Sequence, residues 1–343
     1  MRSQSFRSAA TLLALAAVSA CKQDVTAPER APENPAPSLL ATRNTWTIRA
    51  PMPTPRCCLK ASTVNGIIYA IGGFSTKVEA YNTSTNSWTT KAGLPEALEP
   101  TGASSINGKV YVAGGRNSSG GISKRLYVYN PATNAWTRKA DMPYKGTAHG
   151  GEQGAINGRL YVYLGMTTKS DGTVGPQRFL RYNPSTNTWS TLPVPSLARV
   201  DAVSGVINGR LYLLGGKKVD GATVFGRAPD VHVYNPASGW SKLPLTSSHA
   251  LSLDKLAYGT TGGKLYITGA WYADGWDHVD MVYDPATNTR TTLPLSHYNR
   301  TRGAGTGANG QFYALGGSTC EQVSGQLTCD PEGQSGAMEA YTP

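Results

Sequence analysis

The chain has 343 residues, a formal net charge of +11 and only 15% charged residues. Its 39 glycines and 22 prolines fit a turn-rich all-β protein with an ample core, and exclude a disordered chain. The basic balance raises nucleic acid as a partner, but there is no run of five basic residues, no recognition helix and no aromatic-basic platform, so no nucleic-acid partner is expected.

At the N-terminus, Arg2 and Arg7 precede an apolar stretch from Ala9 to Val18, too short to span a membrane as a mature helix. It ends Val18-Ser19-Ala20-Cys21, which resembles the lipobox of bacterial lipoproteins. The resemblance implies a signal peptide over 1–20, cleavage before Cys21 and acylation of Cys21; an ordinary signal peptide cut after Ala20 is the alternative. Two or more acyl chains anchor stably where one does not. Lys22 in place of Asp after the lipidated cysteine implies the outer membrane or cell surface. The rest of 21–43, with Pro28, Pro32, Pro35 and Pro37, reads as a flexible tether.

Of five cysteines, lipidation of Cys21 leaves Cys57, Cys58, Cys320 and Cys329, which an oxidising compartment pairs. Cys320–Cys329 is the first choice, because the intervening residues suit a small hairpin around Gly325. That leaves Cys57 and Cys58 as an adjacent pair or as two thiols; cross-pairing of the two segments is the alternative. No CxxC or Cys/His spacing is present, so neither a metal site nor a cofactor is expected.

From residue 44 a single pattern recurs. Thr45-Trp46-Thr47-Ile48 is a strand without a repeat of its own. The first full copy carries Asn65-Gly66, Tyr69, Gly72-Gly73, Tyr81-Asn82 and Trp88. The second carries Asn107-Gly108, Tyr111, Gly114-Gly115, Tyr129-Asn130-Pro131 and Trp136. In the third, Asn157-Gly158, Tyr161, Gly165, Tyr182-Asn183-Pro184 and Trp189 recur, with Met166 in the glycine doublet. The fourth has Asn208-Gly209, Tyr212, Gly215-Gly216, Tyr234-Asn235-Pro236 and Trp240. The fifth has Gly262-Gly263, Tyr266, Gly269-Ala270 and Tyr283-Asp284-Pro285, with Arg290 where Trp is expected. The sixth has Asn309-Gly310, Tyr313, Gly316-Gly317 and Tyr341.

A self-similar period built from short alternating runs points to a propeller or an array. Asn-Gly suits a type I′ turn between the first and second strands, and Asn-Pro-x-Thr-Asn turns the third strand into the fourth. The doubled glycine ends the second strand where backbones crowd. The Trp pins the outer strand, with its N–H expected to find a partner. The doubled glycines, the Tyr before Trp and the Asn-Gly turns resemble the Kelch repeat over about 44–343. The resemblance implies an all-β, six-bladed Kelch-type β-propeller. The sixth copy lacks a fourth strand, so the N-terminal strand is expected to complete that C-terminal blade and remove a free edge.

The tight turns mark one face as scaffold. The connections at 116–124, 167–177, 217–229, 271–279 and 318–336 are long and varied, and predict binding on the opposite face and at the channel mouth. There, Trp271, Tyr272, Trp276 and His278 form the most aromatic stretch and suit sugar rings, or cap the core. His297 and Tyr298 lead to Arg300 and Arg302, expected to share a side and hold an anion. Arg56, Arg199 and His249 stand at similar places. His149 and Glu152 are candidates for a base and an acid, against structural hydrogen bonding. Without a stronger catalytic constellation, a monomeric binding protein for a protein or glycan is the first reading. The alternative is a sugar epimerase, mutarotase or lyase, because sialic acid epimerases share the six-bladed Kelch resemblance.

Overall fold

The computed structural model describes residues 43–147, 151–228, 230–244, 251–252, 256–272, 278–323 and 326–343, with backbone alone for 251–252, 270–272, 278, 319–323 and 326–333. All fall within the unit Thr42–Pro343. The described residues form strands, turns and bends; no helix among them is long and apolar enough to cross a membrane.

The fold is a β-propeller. Among the described residues there are six antiparallel sheets of four or five strands, one for each sequence repeat. In the first, Leu59–Val64, Ile67–Gly72, Val78–Asn82 and Ser87–Thr90 pair in chain order. The sixth sheet runs Ala304–Ala308, Gln311–Leu315 and Met338–Thr342, and its outer strand is Thr45–Arg49 from the other end of the body. Trp46 stands opposite Tyr341 in that register. Each repeat's first strand is innermost, and the repeat tyrosines lie on the second strands.

The core sits between blades. Tyr69, Ile71, Val110 and Tyr129 join the first sheet to the second. Leu59, Tyr81, Tyr313 and Met338 join the first to the sixth, and Trp46, Phe312 and Tyr266 join the sixth to the fifth.

The turns follow from their residues. Asn65, Asn107, Asn157, Asn208 and Asn309 have φ of 48–50° and the following glycines 70–77°, the left-handed pair that a type I′ hairpin needs. Gly72 has φ 78°, and a Cβ on it would lie 2.6 Å from the Leu98 carbonyl oxygen. The doublet therefore gives both the backbone angle and room for the segment that leads into the next blade.

The tryptophans clasp neighbouring repeats. Trp88, Trp136 and Trp189 donate from Nε1 to the carbonyls of Ala50, Ala92 and Ala140, each at 2.8 Å. An asparagine closes the same joint: Asn134 Oδ1 accepts from Tyr129 Oη at 2.7 Å and from the Ala92 N–H at 2.9 Å. Asn134 has φ 48°, so its replacement by Ala removes two hydrogen bonds and strains the turn. Asn134→Ala is expected to cost about 2 kcal/mol, read as a lower urea midpoint at unchanged slope. An unchanged midpoint would refute the clasp.

The long connections carry strand pairing of their own. All five fold back: Arg116 pairs with Ile122 and Trp271 with His278 as extensions of their blades, and the other three form separate hairpins. Lys217–Asp220 pairs with Thr223–Arg227, Thr167–Thr168 with Val174–Gly175, and Ser318–Val323 with Gln326–Gln334. Two of these hairpins also take up a segment leading into an inner strand, Arg199–Val200 in one case and Arg300–Thr301 in the other. Added strand pairing satisfies backbone groups that a long loop would leave to water.

Candidate functional site

The six inner strands surround an axial cavity of ≈ 340 Å³, lined by residues such as Ser62, Gln153, Ser204, Tyr258 and Thr306. It adjoins a second cavity of ≈ 220 Å³ at the end where the segments leading into the blades and the second-to-third connections lie. Lys60, Thr101, Leu256, Tyr258 and Gly303 line both. The outer cavity is the channel mouth.

One device recurs in three blades. Arg56, Arg199 and Arg300 each stand thirteen residues before the repeat tyrosine, and they are 2%, 0% and 1% exposed. Arg56 pairs with Glu79 and donates to the Gly72 and Ala70 carbonyls at 2.9 and 3.0 Å. Arg199 pairs with Asp230 and donates to the Gly215 carbonyl at 3.0 Å. Arg300 donates to Glu339 Oε2 at 2.6 Å and to the Ala337 carbonyl at 3.1 Å. These guanidiniums fasten the third strand to the segment before the first. They are engaged inside the blade and are absent from the lining of the mouth.

Two residues further on, the chain turns left-handed. Cys58, Asp201 and Arg302 have φ of 61°, 54° and 55°, and all three line the mouth. This corrects the expectation that Arg300 and Arg302 share a side. Side chains at i and i+2 share a face only while the strand stays extended, and the positive φ at Arg302 breaks that alternation.

The most concentrated polar group lies where the two cavities meet. Glu152, on the inner strand Glu152–Ile156, is buried. Its Oε2 accepts from Tyr258 Oη at 2.5 Å and from Ser204 Oγ at 2.6 Å. Burial pushes its carboxyl up to about 7, with Lys60, Ser204 and Tyr258 pulling down and Asp201 adding to the rise. Burial, then the Glu152 charge, holds the Tyr258 hydroxyl well above its usual range, so it stays a donor. Both donors engage Oε2, so the exchangeable proton of the acid form belongs on Oε1. Lys60 Nζ lies 5.6 Å from the Tyr258 ring centroid. On the rim, Arg116 Nε donates to Glu99 Oε2 at 2.5 Å, and its guanidinium lies 5.1 Å from the Phe74 ring centroid.

Of the residues singled out from sequence, Glu152 and Arg302 come together at the mouth, while Arg56, Arg199 and Arg300 do not. His297 and Tyr298 serve the buried pair of the sixth blade. The His297 N–H donates to Glu339 Oε1 at 2.7 Å, and the Tyr298 ring lies 5.6 Å from the Arg300 guanidinium. Trp271 and His278 stand opposite each other across a hairpin, with Tyr272 next in the strand, and only their backbone is described. His149, His249, Trp276 and Cys21 lie outside the described residues. Cys57 and Cys58 are free thiols, and Cys320 and Cys329 face each other in the backbone register of their hairpin. Among the described residues, no cluster of His, Cys, Asp and Glu side chains is suited to a metal.

Sequence reading missed Lys60, Ser204, Tyr258, Glu99 and Arg116. A signal for two of them was present: Ser204 and Tyr258 both stand eight residues before the repeat tyrosine, in step with Gln153. The repeat register thus marks the positions that line the axis.

Known proteins resemble this chain in parts. Kelch repeat and BTB domain-containing protein 12 of Danio rerio is 31% identical over 155 residues, 40% of this chain and 25% of that protein. An F-box/kelch-repeat protein of Arabidopsis thaliana is 31% identical over 160 residues, 41% of this chain and 32% of that protein. The chain thus matches a third or less of the length of these curated relatives. The N-acetylneuraminate epimerase of Haemophilus influenzae (strain PittEE) is 37% identical over 67 residues, 19% of this chain and 18% of that protein. The solved structure of YjhT superposes with a TM-score of 0.64 at 19% identity, covering 82% of this chain and 95% of that one, and supports the fold. The family model for the Attractin/LZTR1 beta-propeller matches residues 42–282, more than half of the chain. With its Kelch repeats in register along the body, the chain belongs to the Attractin/LZTR1 beta-propeller family.

Proposed function

We propose that this protein is an exported, lipid-anchored binding protein whose channel mouth takes a small acidic sugar or a similar polar carboxylate. The observation that carries the reading is the convergence of Lys60, Glu152, Tyr258 and Arg302, from four blades, on one cavity of ≈ 220 Å³. A concave site of that size with a few convergent polar groups suits a small ligand better than a flat protein surface. Lys60 and Arg302 supply the cations for a carboxylate, and Tyr258 and Ser204 fix the buried acid beside it. The signal peptide at 1–20, acylation at Cys21, the tether to residue 43 and a Cys320–Cys329 disulfide belong to the same proposal. Cys21→Ser is its control for anchoring, read as loss of lipid labelling and of membrane fractionation.

Calorimetric titration of the purified protein with sialic and uronic acids tests the site. Lys60→Gln and Arg302→Gln are each expected to weaken binding about tenfold, the loss of roughly one charge-assisted contact. Wild-type affinity in both variants, or no binding of any acidic sugar, refutes the reading.

A second reading is favoured by the carboxyl of Glu152, raised to about 7 beside a protonated Tyr258. An acid poised near neutrality gives and takes a proton readily, which is what a sugar epimerase, mutarotase or lyase requires. Proton NMR exchange between the anomers of an acidic sugar distinguishes the two: accelerated exchange that Glu152→Gln abolishes establishes catalysis, and binding without exchange excludes it.

A further inference from the structure

We propose that Cys57 and Cys58 form a redox-active dithiol at the channel mouth, which reacts with low-molecular-mass disulfides and closes to a disulfide between adjacent residues. The two sulfurs lie 2.9 Å apart in a hydrogen bond. They are 8% and 4% exposed, and Cys58 lines the outer cavity, so a small oxidant entering the mouth meets Cys58 with the Cys57 sulfur in contact behind it. Two buried thiols are often no more than small apolar side chains, but this pair departs from that in its backbone. Cys58 holds φ 61°, a left-handed conformation that is unfavourable for a non-glycine residue. It also occupies the place that Asp201 and Arg302 fill in the fourth and sixth blades, where the chain presents a functional group to the mouth.

The pair is held in place from both sides. The Cys58 N–H donates to the Arg302 carbonyl at 2.8 Å, and the Gly317 N–H donates to the Arg56 carbonyl at 3.0 Å. Its protons are shared unequally. The hydrogen bond from Cys58 lowers the Cys57 thiol to about 6 against the effect of burial, with Ser318 and Arg302 assisting and Glu99 opposing. The same bond, then burial, drives Cys58 upward. One thiolate beside one thiol is the starting state for exchange.

In the first step, Cys57 Sγ attacks one sulfur of a small disulfide RSSR, forming a Cys57–SR bond and releasing RS⁻. Cys58 then gives its proton to the first RS⁻ and attacks Cys57 Sγ, releasing a second RS⁻ that takes a proton from water. The two cysteines are oxidised by two electrons and the small disulfide is reduced to two thiols. Adjacent Cα atoms are held roughly 3.8 Å apart, shorter than the span of about 4.4–6.8 Å in relaxed disulfides, so a thiol readily reopens the bond. Oxidation also removes the anionic sulfur near Arg302, leaving that cation more available to whatever occupies the mouth.

Peptide mapping of the intact protein tests this. Trypsin cuts after Arg56 and Lys60, so both cysteines fall in one four-residue peptide. After treatment with oxidised glutathione that peptide is expected to be lighter by two hydrogen atoms, and to recover its mass with reduced glutathione. Linkage instead to the peptide that begins at Gly303, which contains Cys320 and Cys329, overturns the proposal. So does full alkylation of both thiols after the challenge. In Cys58→Ser, a mixed disulfide with glutathione is expected to accumulate on Cys57, and absence of that adduct in the folded variant also overturns it. Arg302→Gln is expected to move the pH midpoint of Cys57 alkylation upward, a shift that an inert buried pair would not show.

Discussion

Glu339→Ala is expected to be among the most destabilising single substitutions in the propeller, costing about 3–5 kcal/mol. The carboxylate is fully buried and serves two partners at once. Its Oε2 accepts from Arg300 at 2.6 Å, and its Oε1 accepts from the His297 N–H at 2.7 Å. Removing it strands a guanidinium that is 1% exposed. The measured quantity is the thermal midpoint, expected to fall by roughly 6–15 °C for a body of this size. The double variant Arg300→Met, Glu339→Leu removes both charges and is expected to recover most of the loss, because an apolar pair of similar volume has no charge to leave unpaired. A double variant no more stable than Glu339→Ala would show that the position matters for packing alone. The fourth blade shows how the device tolerates change. Glu79 and Glu339 stand two residues before the outer repeat tyrosine, and His232 holds that place in the fourth blade. Asp230 there takes over the ion pair, and Arg199 Nη2 lies 3.1 Å from His232 Nδ1. Burial first, then Arg199 and Lys242, lower His232 to about 4. Arginine only donates, so Nδ1 accepts and the ring proton sits on Nε2.

Turn chemistry and spacing carried the fold. Asn-Gly pairs, doubled glycines and Tyr-to-Trp intervals repeat in one order, and each encodes a backbone angle or a packing contact that has one structural solution. Trp46 without a repeat and Tyr341 without a following strand implied that they meet, and they pair directly. The site was less legible. Arg300 and Arg302 look alike in sequence, but one is buried beside Glu339 and the other lines the mouth. What separates them is a carboxylate 39 residues away and a left-handed φ at Arg302. Neither is visible in a local pattern. Tyr258 and Glu152 are 106 residues apart and meet because two inner strands face the same axis. Sequence singled out Glu152 as a candidate acid or base, but the groups that tune it come from the first, fourth and fifth blades.

Glu152→Gln is expected to stabilise the protein above pH 7 and to leave it little changed below pH 4.5, the ordinary value of the carboxyl. The sign follows from which state ionises first. The unfolded chain releases the Glu152 proton near the ordinary value, whereas burial holds the folded carboxyl to about 7. Between those values the unfolded state gains an ionised group that the folded state does not, so wild-type stability falls as pH rises through the window. Above it the cost is constant at about 3 kcal/mol, because each tenfold difference in proton affinity between the two states is worth roughly 1.4 kcal/mol. Glutamine carries no titrating proton, and its amide oxygen still accepts from Tyr258 and Ser204, so the variant avoids this cost and keeps the hydrogen bonds. Urea denaturation of both proteins at pH 4.5 and pH 8 reads the difference, and parallel curves at the two pH values would disprove a raised carboxyl. A site that retains a destabilising acid on its axis, where glutamine would pack equally well, is organised around that proton. Weaker binding or lost proton exchange in the more stable variant is therefore the expected companion result.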